Sequence, residues 1–226
     1  MKSIRKLLYT CTPKYAWISL LLTAAYQSIL YFGSSQLIST MTPHLMSTAL
    51  DDALPLVPAF IYIYLLAFLQ WALGFIIITR ESRERCFRFL SGYMIAVTVS
   101  VLVFLIYPTA IRRSPLETTD FTTGLLSLIW RLDSHNQLGV NLFPSLHCMA
   151  SWFCFRGAIG LKKTPSWYVR FQLCFTLLVF ASTLFVKQHI WPDILGGVAV
   201  AELGQGLGRL LHADRVFEAL ESKMKE

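Results

Sequence analysis

The sequence predicts an all-α fold, a polytopic bundle of six transmembrane helices forming a single membrane domain over residues 1–226. Composition is the first reason. Hydrophobic residues make up 55% of the chain and charged residues 15%, with a mean hydropathy of +0.54, a balance that excludes an ordinary soluble domain. The apolar residues also fall into six runs, roughly 15–33, 56–79, 89–107, 145–161, 169–186 and 192–210. Each is near the ~20 residues that a helix needs to cross the hydrocarbon layer. Finally, the charges sort by side. With the N-terminus inside, the cytoplasmic segments hold Lys2, Arg5, Lys6, Lys14, Arg80, Arg83, Arg85, Arg88, Arg156, Lys162, Lys163, Arg170, Arg209, Arg215, Lys223 and Lys225. The other side holds only Arg112, Arg113, Arg131 and Lys187. This positive-inside bias implies a multi-pass cell-membrane protein with both termini cytoplasmic. The net charge of +7 then reads as topology and contact with anionic membrane lipids, not as nucleic-acid binding.

Residues 1–14 form a short basic tail. The apolar run after it is long for a secretory signal, so it reads as an uncleaved first span. The loop 34–54 carries no Lys or Arg, and it holds Thr42-Pro43 and Asp51-Asp52 before Pro55, which fits the outer face. His44 in that loop reads as solvated. The second span is rich in aromatics. Arg80-Glu81-Ser82-Arg83-Glu84-Arg85 is a solvated inner turn, and the third span delivers the chain to Tyr107-Pro108.

Residues 116–142 are the longest outer segment. Asp120 is placed to cap a short helix over 121–132. Leu125, Leu126, Leu128, Ile129 and Trp130 give that helix a greasy side, with Arg131 and Asp133 polar. Two readings stand beside each other: an interfacial lid for a lipid substrate, or a packed connector. His135 reads as a surface residue. The fourth span ends at Lys162-Lys163. The sixth carries Gly196, Gly197, Gly204, Gly206 and Gly208. Gly204 and Gly208 make a GxxxG, read as helix packing, and no GxGxxG or Walker pattern is present. Arg156 and Glu202 each follow a candidate site residue, His147 and Asp193, by nine positions, ~13 Å along a helix. Equal depth argues for an ion pair. Nine residues also turn about half a circle away from the site-facing side, which argues against one and leaves Arg156 snorkelling to the inner interface as the alternative. Cys11, Cys86, Cys148, Cys154 and Cys174 form no CxxC pair, so neither a disulfide nor a zinc cluster is expected.

Three stretches carry chemistry. In Lys187-Gln188-His189-Ile190-Trp191-Pro192-Asp193, Pro192 suits a first helical turn. A helix starting at about Trp191 places His189 just outside it and Asp193 inside its first turn. The carboxylate then accepts the His189 Nδ1 proton and leaves Nε2 bare as a nucleophile or base. The helix start offers N–H groups and a positive dipole end to an anion. Phe143-Pro144-Ser145-Leu146-His147 repeats the arrangement with a second imidazole. Tyr107-Pro108-Thr109-Ala110-Ile111-Arg112-Arg113-Ser114-Pro115 supplies two guanidinium groups on the same side of the membrane.

This order of residues resembles the type 2 phosphatidic acid phosphatase (PAP2) superfamily, with motifs KxxxxxxRP, PSGH and SRxxxxxHxxxD, over about residues 90–210. Pro144-Ser145-Leu146-His147 matches the second motif and Ser182, His189 and Asp193 the third. The departures are specific. Arg113 aligns with the motif-one Arg, but Ser114 replaces its Pro and Ile106 its Lys. Leu146 replaces the Gly of PSGH, and Thr183 the Arg of motif three. Phe-Pro-Ser-Leu-His, with Ser-Thr before the last His, looks more like the inositol phosphotransferase branch, which includes inositol phosphorylceramide synthase.

The resemblance implies a PAP2-like core and covalent phosphoryl transfer without a metal or other cofactor. His189 is the implied nucleophile, Asp193 its partner and His147 the acid and base. Arg113, Ser145 and the two helix starts would hold the phosphate oxygens, with Arg112 and Lys187 inferred as replacements for the missing cations. The expected function is an integral membrane phosphatase acting on a lipid phosphate or pyrophosphate at the extracytoplasmic face. The alternatives are a phosphotransferase moving a phospho-headgroup to an alcohol, a metal-dependent hydrolase using His147, His189 and Asp193 as ligands, and a non-catalytic anion or lipid transporter. Diacylglycerol, polyprenol or ceramide as the tail, water or alcohol as the acceptor, and the oligomeric state stand open at this level.

Overall fold

The computed structural model describes residues 12–132, 134–135 and 138–223. The expectations placed on Lys2, Arg5, Lys6, Cys11, Asp133 and Lys225 lie outside the described residues, and so does the side chain of His135. Among the described residues are nine α-helices: α1 (Lys14–Ile38), α2 (Ala49–Ala53), α3 (Ile61–Thr79), α4 (Arg83–Ile106), α5 (Phe121–Leu132), α6 (Leu146–Ala158), α7 (Trp167–Phe185), α8 (Trp191–Leu210) and α9 (Arg215–Lys223). A 3₁₀ turn over Pro58–Phe60 leads into α3.

The local chemistry of the helix starts explains their positions. Ser82 Oγ accepts the Arg85 N–H at 3.1 Å before α4, Ser145 Oγ accepts the Cys148 N–H at 3.3 Å before α6, and Asp120 Oδ1 accepts the Thr123 N–H at 2.8 Å before α5. Each is a side-chain cap on an otherwise orphaned donor.

Four units are long and apolar enough to cross a membrane: α1, Pro58–Thr79, α4 and α7. Counting α8 and α9 as one bent pair, with 64° between them, makes five. The expected span over 145–161 contains a helix of only 13 residues, ~20 Å long against a hydrocarbon core of ~30 Å. Length and composition alone therefore do not reach six spans. The cause of the short helix is local. Gly160 takes φ +75° and turns the chain, and Arg85 of α4 donates to the carbonyls of Gly157 (2.9 Å) and Ile159, closing the C-terminal end of α6.

Helix α4 is the most enclosed of the long units and packs chiefly on α8 and α1, while α6 sits among α7, α8 and α3. Phe87, Leu90 and Phe104 of α4 and Met149 and Phe153 of α6 are fully buried in one core. The GxxxG reading holds as packing. A Cβ at Gly204 would lie 2.5 Å from Gly92 O, and one at Gly208 would lie 3.0 Å from Gly92 Cα, so α8 and α4 meet backbone to backbone. In the same half of α8, two residues before Gly204, Glu202 meets α6: Arg156 Nε lies 2.6 Å from Glu202 Oε1 and NH2 3.2 Å from Oε2, and Trp152 Nε1 donates to the same carboxylate at 2.7 Å. The ion pair forms because the half-turn away from the site still leaves both side chains on the α6–α8 flank, each only partly covered.

The segments at the end of the bundle that carries His147 and His189 add strands to a chain read as all-α. β1 (His44–Leu45), β2 (Thr109–Arg112), β3 (Ser134–His135) and β4 (Leu138–Val140) form a small sheet in the order β1-β2-β4-β3. β1 is parallel to β2, and the other pairs are antiparallel, with Ala110 opposite Val140. Runs of two to four residues carry too little alternation to be visible as strands in sequence. The sheet fixes the chain that leads into the second motif, joining it to the end of the first. Helix α5 turns Leu126 and Trp130 into a buried cluster with Ile61, Tyr64 and Val186, while Phe121, Leu128 and Leu132 stay exposed. It is a packed connector with an apolar outer rim.

Candidate active site

Helix α8 begins at Trp191, with Pro192 in its first turn. The four-residue step from 189 to 193 brings the carboxylate back against the imidazole. Asp193 Oδ2 lies 3.1 Å from His189 Nδ1 and accepts the Ile190 N–H at 3.0 Å. Asp193 is fully buried and His189 is 8% exposed. A carboxylate held this way orients Nδ1–H toward itself and leaves Nε2 with its lone pair outward.

The second motif joins the third through the backbone. The Ser145 N–H donates to Asp193 O at 3.0 Å. Gly197 makes the approach possible, because a Cβ there would sit 2.6 Å from Ser145 O. His147 is thereby set with its ring centroid 6.1 Å from that of His189. It stacks on Tyr64 at 4.3 Å and meets Trp71 and Phe68 edge-on at 4.9 and 5.5 Å. Its Nε2 has no hydrogen-bond partner among the described residues. The aromatic surround comes from α3, where Tyr64, Phe68 and Trp71 share one face at helical spacing. In sequence that spacing is indistinguishable from ordinary lipid-facing or core aromatics.

The cations are used unequally. Arg113 donates from Nε to Lys187 O at 3.0 Å, from NH1 to Trp130 O at 3.4 Å and from NH2 to Gln188 Oε1, and its guanidinium lies 5.3 Å from the centre of the Trp130 ring. It grips the turn that carries His189. Lys187, in a left-handed backbone conformation at φ +53°, donates from Nζ to Asp51 O and Leu54 O, both at 2.7 Å. Arg112 is exposed, and its guanidinium has no hydrogen bond or ion pair among the described residues. Ser145 is fully buried with its Oγ engaged as the cap of α6.

The sequence reading passed over Asp51, which matters here. Its Oδ1 accepts the Trp191 N–H at 2.9 Å, while Trp191 Nε1 donates to Thr48 Oγ1 at 3.1 Å. The first donor of α8, expected to face a substrate anion, is taken by the protein's own carboxylate. The signal available was Thr48 followed by Asp51, a capping pattern for a helix too short to stand out as a periodic element.

Two spaces meet at His189. A cleft of about 740 Å³ is lined by Arg112, Arg113, Lys187, Asp51 and Asp52 together with His189. A groove of about 360 Å³ runs between α1 and α3 past Tyr31, Tyr64, Phe68 and Trp71 and reaches both histidines. A further space of about 260 Å³ continues down the same seam to Trp17 and shares Gln27 and Trp71 with the groove. From Tyr31 to Trp17 is ~21 Å along the α1 axis. Among the described residues, no group of three His, Cys, Asp or Glu side chains gathers as a metal site.

An imidazole–carboxylate pair, a second imidazole beside it, a cationic cleft on one side and an aromatic groove on the other suit transfer of a phosphoryl group carried by an amphipathic molecule. The family model described as the PAP2 superfamily matches residues 28–207. That match starts inside α1, well before residue 90 where the motif resemblance begins, so it takes in the helix that walls the groove. No curated protein and no solved structure matches the chain. With a family model covering most of its length, and the motif histidines and aspartate assembled on two helix starts, this chain belongs to the PAP2 superfamily.

Proposed function

We propose that the protein is a membrane lipid phosphatase that hydrolyses a lipid phosphate or pyrophosphate at the extracytoplasmic face through a phosphohistidine, without a metal. The observation that carries this reading is the buried His189–Asp193 pair, 3.1 Å apart, at the meeting point of the charged cleft and the aromatic groove. His189 Nε2 attacks phosphorus and the bond to the lipid oxygen breaks. His147 delivers a proton to the leaving oxygen, then takes one from water as the water attacks phosphorus and the P–N bond breaks. Asp193 keeps the His189 tautomer and balances the charge of the phosphorylated imidazole. Arg112 has the free guanidinium for the phosphoryl oxygens, supported by Ser145. Arg113 and Lys187 contribute through the cationic field of the cleft and by holding the 187–191 turn. The hydrocarbon tail lies along the α1–α3 seam.

The same reading takes six spans, α6 and α8 included, with both termini cytoplasmic. What supports it is that the twelve described Lys and Arg positions of the inner set, from Lys14 to Lys223, lie toward the helix ends away from the two histidines. A thiol placed by Ser114→Cys is then labelled by a membrane-impermeant reagent added to intact cells. Labelling only after the membrane is broken would invert the topology.

A phosphotransferase is the second reading, and one observation favours it. The side of the site that holds His147 is walled by Tyr64, Phe68 and Trp71, so a lipid alcohol fits the second-step acceptor position. The decisive assay is phosphate release by the purified chain from phosphatidic acid and from a polyprenyl pyrophosphate, beside His189→Ala. Release lost in the variant supports the hydrolase. No release, but a new phosphodiester once an alcohol is added, selects the transferase.

A further inference from the structure

Two amide side chains inside the groove have no place in the mechanism above. Gln188 is 1% exposed and Asn141 6%, and both line the groove that reaches His147 and His189. Among the described residues, Gln188 Nε2 and Asn141 Oδ1 are each buried without a hydrogen-bond partner, a costly state that native interiors rarely keep without a reason. Their orientations are fixed from behind. Gln188 Oε1 accepts from Arg113, so turning the amide over would set its NH₂ against a guanidinium. Asn141 Nδ2 donates to Ser35 Oγ at 3.1 Å, and the Ser35 hydroxyl already donates to Tyr31 O at 2.9 Å, so it has no hydrogen to offer a flipped carbonyl. Each of these groove-lining residues therefore keeps one unmatched polar atom, a donor on Gln188 and an acceptor on Asn141. Asn141 holds φ +58°, a conformation open to Asn, Asp and Gly and strained for most other residues.

An acceptor at Asn141 has nothing to bind on a fully ionised phosphate, which carries no hydrogen. It needs an O–H or N–H. We infer that Asn141 and Gln188 form a paired amide site for the polar end of the lipid: Gln188 Nε2 donates to a phosphoryl or ester oxygen, and Asn141 Oδ1 accepts from a hydroxyl or amide N–H carried beside it. This rests on the lipid-phosphate reading and narrows it to lipids with a hydrogen-bond donor next to the phosphoester. Such a ligand completes both amides at once, and its chain continues along α1 and α3. A lipid lacking the donor leaves Asn141 Oδ1 buried and unmatched, which is the stronger form of discrimination available to a site of this size.

The test is equilibrium binding of two non-hydrolysable alkyl phosphonates, identical except for one hydroxyl beside the phosphonate, to the full chain in detergent. Tryptophan fluorescence reports it, since Trp71 lines the groove. The hydroxylated ligand is expected to bind about tenfold more tightly. Asn141→Gly, which tolerates the backbone, should remove that preference and leave the deoxy ligand's affinity unchanged. Asn141→Asp, which keeps an acceptor, should retain the preference. Gln188→Glu keeps the bond to Arg113 while replacing the donor, and should weaken both ligands alike. Equal affinity of the wild-type chain for the two ligands, the amides then binding water only, overturns the amide site while leaving the lipid-phosphate reading in place. So does a loss in Asn141→Gly that is the same for both ligands. Binding of neither ligand counts against both.

Discussion

Helices α6 and α8 each carry two polar stations nine residues apart, and the two ends of the pair, outer and inner in the proposed topology, are built on different plans. At the inner end the two charges of the pair are matched, and one buried polar atom, Gln205 Nε2, has no partner among the described residues. Arg156 and Glu202 make a two-pronged bridge, and Trp152 supplies a third hydrogen bond. At the outer end four such atoms gather: His147 Nε2, Asn141 Oδ1, Gln188 Nε2 and Asp193 Oδ1 are buried with no partner among the described residues. Both ends join the same two helices, so joining them does not require an unfinished network. The contrast teaches that the outer end is arranged for a visitor and the inner end for the bundle. Substitutions at the outer end should therefore cost activity and little stability, and those at the inner end the reverse.

The largest effect is expected from His189→Ala, which removes the proposed nucleophile. Phosphate release should fall by roughly 10⁴-fold or more while the thermal midpoint in detergent moves little. A large drop in midpoint with residual turnover would make His189 structural and erase the contrast. Next comes Asp193→Asn. The amide would face the Ile190 N–H with a competing donor and release the His189 tautomer, so kcat should fall by about 10³-fold with KM nearly unchanged. A change confined to KM would mean that Asp193 acts on binding.

A third substitution probes the middle of the same helix. Gly204→Val would drive a side chain into Gly92 O and the Ala96 side chain. Overpacking of this kind costs about 1–3 kcal/mol, seen as a lower thermal midpoint, with kcat of the surviving folded protein intact. An unchanged midpoint would show that α4 and α8 are not held by backbone approach.

Much of this was legible in sequence, for physical reasons that differ by residue. His189 and Asp193 are four apart across a proline-marked helix start, and local geometry alone brings them together. Helix α5 was readable over 121–132 because its cap and its apolar side are both local. The Arg156–Glu202 bridge was readable only as equal depth, since which flank of α6 meets α8 is a tertiary fact. Arg113 and Lys187 were marked as cations near the site, yet a carbonyl that will accept their protons leaves no trace in composition. Asp51 was invisible for the same reason: its partner, the Trp191 N–H, is backbone, 140 positions away. The short α6 was hidden because Gly160 and the Arg85 cap act after an apolar run that already looks long enough.

The smallest effect should come from the inner bridge, and it sharpens the comparison most. The two side chains are 33% and 42% exposed, so solvent and headgroup screening limit what the pair can contribute. Breaking it with Glu202→Gln should cost about 0.5–1 kcal/mol in stability and leave phosphate release within about twofold, since the bridge touches neither cleft nor groove. The double exchange Arg156→Glu with Glu202→Arg should recover part of that loss, because opposite charges again meet across the same flank. Recovery stays partial because Trp152 Nε1 loses the acceptor it had at position 202. The coupling between the two sites, taken from the two single variants and the double, isolates the bridge from the rest of the packing. A double variant no more stable than either single would mean that the bridge is a contact of geometry without energetic weight. A double variant that also lost turnover as severely as Asp193→Asn would mean that the two ends of α6 and α8 move as one body, and that the inner network, though complete, is part of the machinery after all.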